Sequence, residues 1–182
     1  MKRTDSVKKL AFAGIIAALS FAGYMFFPAI NAFGLKIHLG NTFVVLGALI
    51  LGGPWGGLAG AVGLSLADVL SGFAEFAPIT FVCKLVIGLI TGLFAHTIAK
   101  IDEPHEKSYT FRWTLISSVA GLACNTLVDP LLNYLWQRMI LKDAEALLTL
   151  NFAVTGINAA GNAICSVILY LSLRPAIRKL LH

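Results

Sequence analysis

The chain has 182 residues, of which 58% are hydrophobic and 13% charged, with a mean hydropathy of +0.82. A soluble globular domain carries roughly a quarter of its residues as charges, so this composition excludes that class and points to a polytopic helical membrane protein. The net charge of +5 does not mark a nucleic-acid binder, because the basic residues sit at the ends of apolar runs, as membrane topology requires.

A helix needs about 20 apolar residues to cross the hydrocarbon of a bilayer. The first run, 7–27, ends at Pro28. It is long and lacks a small-residue cleavage site, so it is expected to be a retained span rather than a signal peptide. Within it Ala13 and Ala17, and Gly14, Ala18 and Ala22, recur every four residues. Such ridges of small residues let helices approach closely in lipid. They serve either packing within this bundle or docking of another subunit. The second run, 38–51, is short and stops at a Gly-Gly-Pro sequence; the third covers 55–73 and the fourth 77–99. The hydrophilic stretch KIDEPHEKSYTFR precedes a fifth run at 113–136, and a sixth follows at 148–173. The expectation is a single all-α membrane domain, a six-transmembrane-helix bundle over residues 1–182.

Lysine and arginine are unevenly divided between the two sides. Ten lie at the N-terminus, in the 4–5 connection and at the C-terminus, whereas Lys36, Arg138 and Lys142 alone lie opposite. This bias predicts that both termini of a multi-pass membrane protein are cytoplasmic.

The polar residues inside the apolar runs fall into sets. Asn125, Asp129 and Asn133 repeat every four residues and share a face that Trp136 continues. Asn151, Thr155, Asn158 and Asn162 mark one face of the sixth helix, and Thr80, Lys84 and Gly88 one face of the fourth. Asn41 lies near the outer end of the second helix, close to His38. Polar stripes in lipid face a bundle interior or a wet cavity. The amides serve to bond helices together or to line a pocket, and their bias toward the outer halves of the helices favours a pocket open to the outside.

The stretch LADVLSGFAEFAPITFVCK, residues 66–84, places Asp68, Glu75 and Lys84 among Phe73, Phe76 and Phe81. Lys84 paired with Asp68 or with Asp129 would lower the cost of burying both charges; Asp68 is the expected partner. The alternative leaves a charge for a ligand, with Phe73, Phe76, Phe81, Tyr134 and Trp136 as stacking surface. Cys83, Cys124 and Cys165 are dispersed and read as small core residues. No phosphate-binding loop, nucleophile elbow or metal-spaced histidine set occurs, so neither a metal, a cofactor nor an enzymatic centre is expected, and the chain is not expected to hydrolyse ATP.

Four stretches carry a resemblance to a known family: the small-residue ladder of the first helix, IHLGNTFVVLGALILGGPWGGLAGAVG, LADVLSGFAEFAPITFVCKLVIG, and the asparagine-bearing fifth and sixth helices. Together they resemble the substrate-capture (S) components of energy-coupling factor (ECF) vitamin transporters. The third stretch looks most like the branch associated with vitamin B6 and the thiamin pyrimidine precursor, although Phe73 and Phe76 stand where tyrosines are common. The resemblance implies a six-helix S-component fold and a small-molecule vitamin as ligand. Its implied partners are a transmembrane T component and two ATPase subunits, and its implied location is the prokaryotic plasma membrane. It also implies that the ladder of Ala13, Gly14, Ala17 and Ala18 docks the T component. The expected ligand-binding set is Asn41, Asp68, Phe73, Glu75, Phe76, Lys84, Asn125, Asp129, Asn133, Trp136, Asn158 and Asn162. Pocket volume is not legible in sequence, so candidate ligands run from pyridoxine and the thiamin pyrimidine to cobalamin. The competing expectation is a self-sufficient secondary transporter with Asp68 or Asp129 as proton site.

Overall fold

The computed structural model describes residues 3–27, 30–32, 35–140 and 145–181. Six α-helices account for almost all of them: α1 (Arg3–Met25), α2 (Gly40–Leu51), α3 (Gly53–Leu70), α4 (Ala77–Gly92), α5 (Lys107–Ile140) and α6 (Glu145–Leu181). Between α1 and α2 lies an antiparallel pair of short strands, β1 (Ile30–Ala32) and β2 (Leu35–Ile37), in register Ile30 to Ile37. The sequence reading did not include this pair, because six strand residues leave too short a pattern to register as alternation.

Four helical segments are long and apolar enough to cross a bilayer: Ser6–Met25, Ala74–Ile98, Lys107–Arg138 and Asn151–Ile177. The second and third expected spans are not among these segments: α3 has 18 residues and α2 is shorter still. With 12 residues, α2 extends only about 18 Å at the helical rise of 1.5 Å per residue. It is instead a core element, with Val44, Val45, Leu46, Ala48 and Leu49 all buried. The outer helices turn Leu10, Ile15, Leu66, Leu89, Val119, Ile157, Ile164 and Ile168 outward. That apolar exterior is the surface lipid would cover, and the chain is a multi-pass membrane protein.

Turn chemistry sets the close packing of α2, α3 and α4. Gly52 alone separates α2 from α3 and holds φ at +87°, a region open to glycine at little cost. Pro54 then occupies the first turn of α3 and Pro78 that of α4, where a missing N–H removes no helical bond. A β-carbon on Gly56 would strike the backbone of Gly47 and Ala48, and one on Gly88 would strike Gly57. Small residues thus let the three backbones touch, the mode of helix association that works without a hydrophobic drive. α4 passes directly into a π-helical turn, Leu93–Ile98.

α1 lies against α2 and α3, α5 against α4 and α6, and α6 also against α2. This arrangement divides the small-residue ladder of α1. Ala13 is buried in the core, and Ala17 presents its backbone to Gly63 of α3. Gly14 and Ala18 face outward, with no atom within 4 Å of a β-carbon built on Gly14. The four residues expected to form one docking surface therefore occupy two faces: a four-residue spacing aligns Ala13 with Ala17 and Gly14 with Ala18, about 100° apart round the helix.

Candidate functional site

The site begins at the N-terminus of α2, where the N-cap residue, Leu39, has no side chain that can accept a hydrogen bond. The first-turn N–H groups of a buried helix need acceptors, and α6 provides one from a distance in sequence. Asn162 Oδ1 accepts from the Thr42 backbone N–H (2.8 Å) and from Thr42 Oγ1 (2.7 Å). Its amide Nδ2 donates to the His38 carbonyl (3.0 Å) and the Asn158 carbonyl (2.6 Å). Asn158 Oδ1 accepts from the His38 N–H at 2.9 Å, and His38 Nδ1 accepts from the Gly40 N–H at 3.1 Å. Across the same junction, Tyr24 of α1 meets the His38 ring edge-on with centroids 4.8 Å apart. The asparagine stripe of α6 is therefore in part a clamp on α2.

Beyond this clamp opens a cavity of about 600 Å³. Each helix contributes to its wall at the same end of the bundle. α1 supplies Tyr24, α2 Asn41, and α3 Leu64 and Asp68, with Ser71 following. Thr80 and Lys84 come from α4, and Asp129, Asn133 and Gln137 from α5. α6 adds Asn151, Val154, Thr155 and Asn158, while Phe73 and Phe76 flank the connection between α3 and α4.

Two charge groupings occupy the wall. Lys84, 5% exposed, donates from Nζ to Asp129 Oδ2 at 3.5 Å. Asn133 Nδ2 donates to the other carboxylate oxygen, Asp129 Oδ1, at 2.8 Å. The expected Lys84–Asp68 pairing gives way to Lys84–Asp129, because the carboxylate of Asp68 turns to the hydroxyls of Thr80 and Tyr24. Asp68 itself is 6% exposed.

Of the residues singled out from sequence, Asn41, Asp68, Phe73, Phe76, Lys84, Asp129, Asn133 and Asn158 come together on the cavity wall. Four do not. Glu75 is exposed in the short helical turn Ala74–Phe76. Asn125 is buried one turn deeper than Asp129, outside the wall, and its Oδ1 has no partner among the described residues. Asn162 is consumed by the clamp. Trp136 lies off the wall, as do Phe81 and Tyr134. The four-residue repeat of Asn125, Asp129 and Asn133 continues to Gln137, which takes the wall position that Trp136 was expected to hold. Continuing the period was enough to find Gln137, and the α6 stripe already contained Asn151 and Thr155. Tyr24, His38 and Ser71 carried no pattern: they reach the cavity from element ends.

The three cysteines are unpaired, and the described residues hold no cluster of metal-ligating side chains. The wall mixes carboxamides, hydroxyls, two carboxylates, one ammonium and two phenylalanines, a set suited to holding a polar ring by hydrogen bonds and stacking.

A helical membrane bundle with one polar cavity recessed at one end is a ligand-binding membrane protein. The family model of the ECF-type riboflavin transporter, S component, matches residues 4–175. The chain belongs to this family and is a substrate-binding component of an ECF vitamin transporter, a transport subunit rather than an enzyme. No curated protein and no solved structure matches the chain.

Proposed function

We propose that this S component captures a water-soluble vitamin built on a flat nitrogen heterocycle and releases it inward when a T component and two ATPases act on it. The cavity carries this reading: about 600 Å³ walled by carboxamides, hydroxyls and two phenylalanines lies in the range of small-molecule sites. That volume suits a ligand of one to three rings with a short side chain and speaks against a corrinoid such as cobalamin. Within the range stand pyridoxine and the thiamin aminopyrimidine, toward which the stretch at residues 66–84 points, and riboflavin, toward which the family's name points.

The lysine and arginine bias supports both termini being cytoplasmic and hence a cavity that opens outward. α1 runs from Arg3 toward Tyr24 on the cavity wall, and α6 runs from Asn151 on that wall toward the C-terminus. The outward small face of α1, Gly14 and Ala18, is the docking surface we assign to the T component.

Thermal unfolding of the purified protein with each of the three vitamins tests the capture step. A ligand at a hundredfold excess over its Kd stabilises the folded form by about 2.7 kcal/mol. One of the three should raise Tm, and no shift with any of them would sink the small-heterocycle reading. For coupling, Ala18→Leu should leave binding by the solitary protein intact and abolish co-purification with the T component and ATP-dependent uptake. Uptake that persists without ATPase partners would favour the self-sufficient transporter instead.

A further inference from the structure

The cavity wall carries two carboxyl groups, Asp68 and Asp129, and one ammonium, Lys84, with no arginine among its described lining residues. Lys84 is spent on Asp129, whose second oxygen is held by Asn133. Asp68 has no cation within ion-pair distance among the described residues; the hydroxyls of Thr80 and Tyr24 face it instead. One buried carboxyl group is therefore left without a matching cation. A buried carboxyl group in that state is costly to ionise until a partner arrives. Asn41, 3% exposed, adds a second unmet acceptor to the wall: its Oδ1 has no partner among the described residues.

The same end of the bundle offers few groups to hold an anion. A helix N-terminus is the usual backbone site for a phosphate, and α2 begins at this wall. Two of its first-turn donors are already taken, the Gly40 N–H by His38 and the Thr42 N–H by Asn162, which leaves the N–H of Asn41. α4 starts with a proline at its second residue, which has no N–H to offer. Glu75 stands between Phe73 and Phe76 at the rim and adds a further negative charge to the approach.

We propose that the cavity selects heterocycles presenting an N–H-rich or cationic edge to Asp68, such as an amino-substituted or protonated ring, and rejects their phosphate esters. The inference rests on the reading of the cavity as a vitamin site and specifies which form of the vitamin enters. A phosphate group would bring like charge toward Asp68 and Asp129 and find its only ammonium engaged. Binding of the free vitamin instead brings Asp68 an N–H-rich or cationic partner beside the hydroxyls of Thr80 and Tyr24.

The test is calorimetric titration of the full chain in nanodiscs with matched pairs: pyridoxine and pyridoxine 5′-phosphate, the hydroxymethyl aminopyrimidine of thiamin and its phosphate, riboflavin and riboflavin 5′-phosphate. For whichever parent binds, its ester should bind more weakly by about tenfold or more, the loss expected from one unmatched charged contact. Asp68→Asn should weaken the parent and narrow that ratio. An ester that binds as tightly as its parent overturns the selectivity while leaving the vitamin-site reading intact. An Asp68→Asn protein with unchanged affinity and unchanged ratio removes Asp68 from the mechanism. If no parent binds, the vitamin-site reading falls and this inference falls with it. The wild-type pairs decide the matter even where the variant fails to fold.

Discussion

At the end of the bundle away from the cavity, Arg174 donates from Nη2 to the Ile101 carbonyl (2.8 Å) and from Nη1 to Thr110 Oγ1 (3.0 Å). His96, in the π-helical turn after α4, lies between Asp102 Oδ2 (2.6 Å) and the Ala48 carbonyl (3.0 Å). Tyr109 donates to the Ala99 carbonyl. These side chains tie the 4–5 connection to α2, α5 and α6, and their contacts end on fixed protein atoms. At the cavity end Asp68, Asn41, Asn133 and Asn151 border open volume. Both ends contain buried polar and charged groups, so polarity inside a membrane bundle does not by itself mark a binding site. What separates the two is whether the groups also border open volume. Asn158 and Asn162 show the distinction within one helix: both bond to His38, but only Asn158 also reaches the cavity wall.

Substitutions that interrupt one end and spare the other would test this division, beginning with the largest effect. Lys84→Met leaves Asp129 beside a missing ammonium. Removing one partner of a buried pair costs about 3–5 kcal/mol, and the 18% exposure of the Asp129 side chain places the loss at the lower end. Tm without ligand should fall accordingly; an unchanged Tm would show that water in the cavity already screens the pair. Asn162→Ala opens the clamp on α2 and strands Thr42 Oγ1 and the His38 carbonyl, a loss of about 1–3 kcal/mol. Ligand affinity should fall with it, because His38 and Asn41 sit on the loosened segment. Stability lost with affinity kept would detach the clamp from the site.

Arg174→Met removes two hydrogen bonds at the far end. Bonds to charged groups contribute about 1.5–3 kcal/mol each at most in a protein, so denaturation should shift by about 2 kcal/mol with ligand affinity unchanged. A drop in affinity would mean that the two ends are coupled. The smallest effect on stability should come from Asn151→Ala, a half-buried wall residue. Changes at such positions stay within about 0.5 kcal/mol, while loss of one hydrogen bond to ligand should weaken binding about fivefold to tenfold. If Tm falls as far as in Asn162→Ala, Asn151 belongs to the packing of α6 and not to the site.

Close packing offers a control on α1, where two neighbouring alanines have opposite surroundings. Ala17→Leu should destabilise the isolated protein by about 1–3 kcal/mol, the usual cost of overpacking, since Gly63 lies against the Ala17 backbone. Ala18→Leu should not. Equal stability of the two proteins would show that α1 sits otherwise than against α3.

Length and hydropathy were sufficient for the membrane class and the helical content, because the bilayer demands long apolar runs whatever the tertiary arrangement. Periodicity was sufficient to place Asp129 and Asn133 on one face of α5 and Asn158 on one face of α6, since that geometry is internal to each helix. The rotation and depth of one helix against another were not legible, because they depend on where backbones can touch. Gly56 on Ala48 and Gly88 on Gly57 set those approaches through space, between residues distant in the chain. From that packing came the choice of Asp129 over Asp68 for Lys84, the withdrawal of Asn125 and Asn162 from the cavity wall, and the arrival of Tyr24 and His38. The same physics divides Ala17 from Ala18: one residue of helical advance is fixed by sequence, but which side meets protein and which meets lipid is decided by Gly63 across the interface.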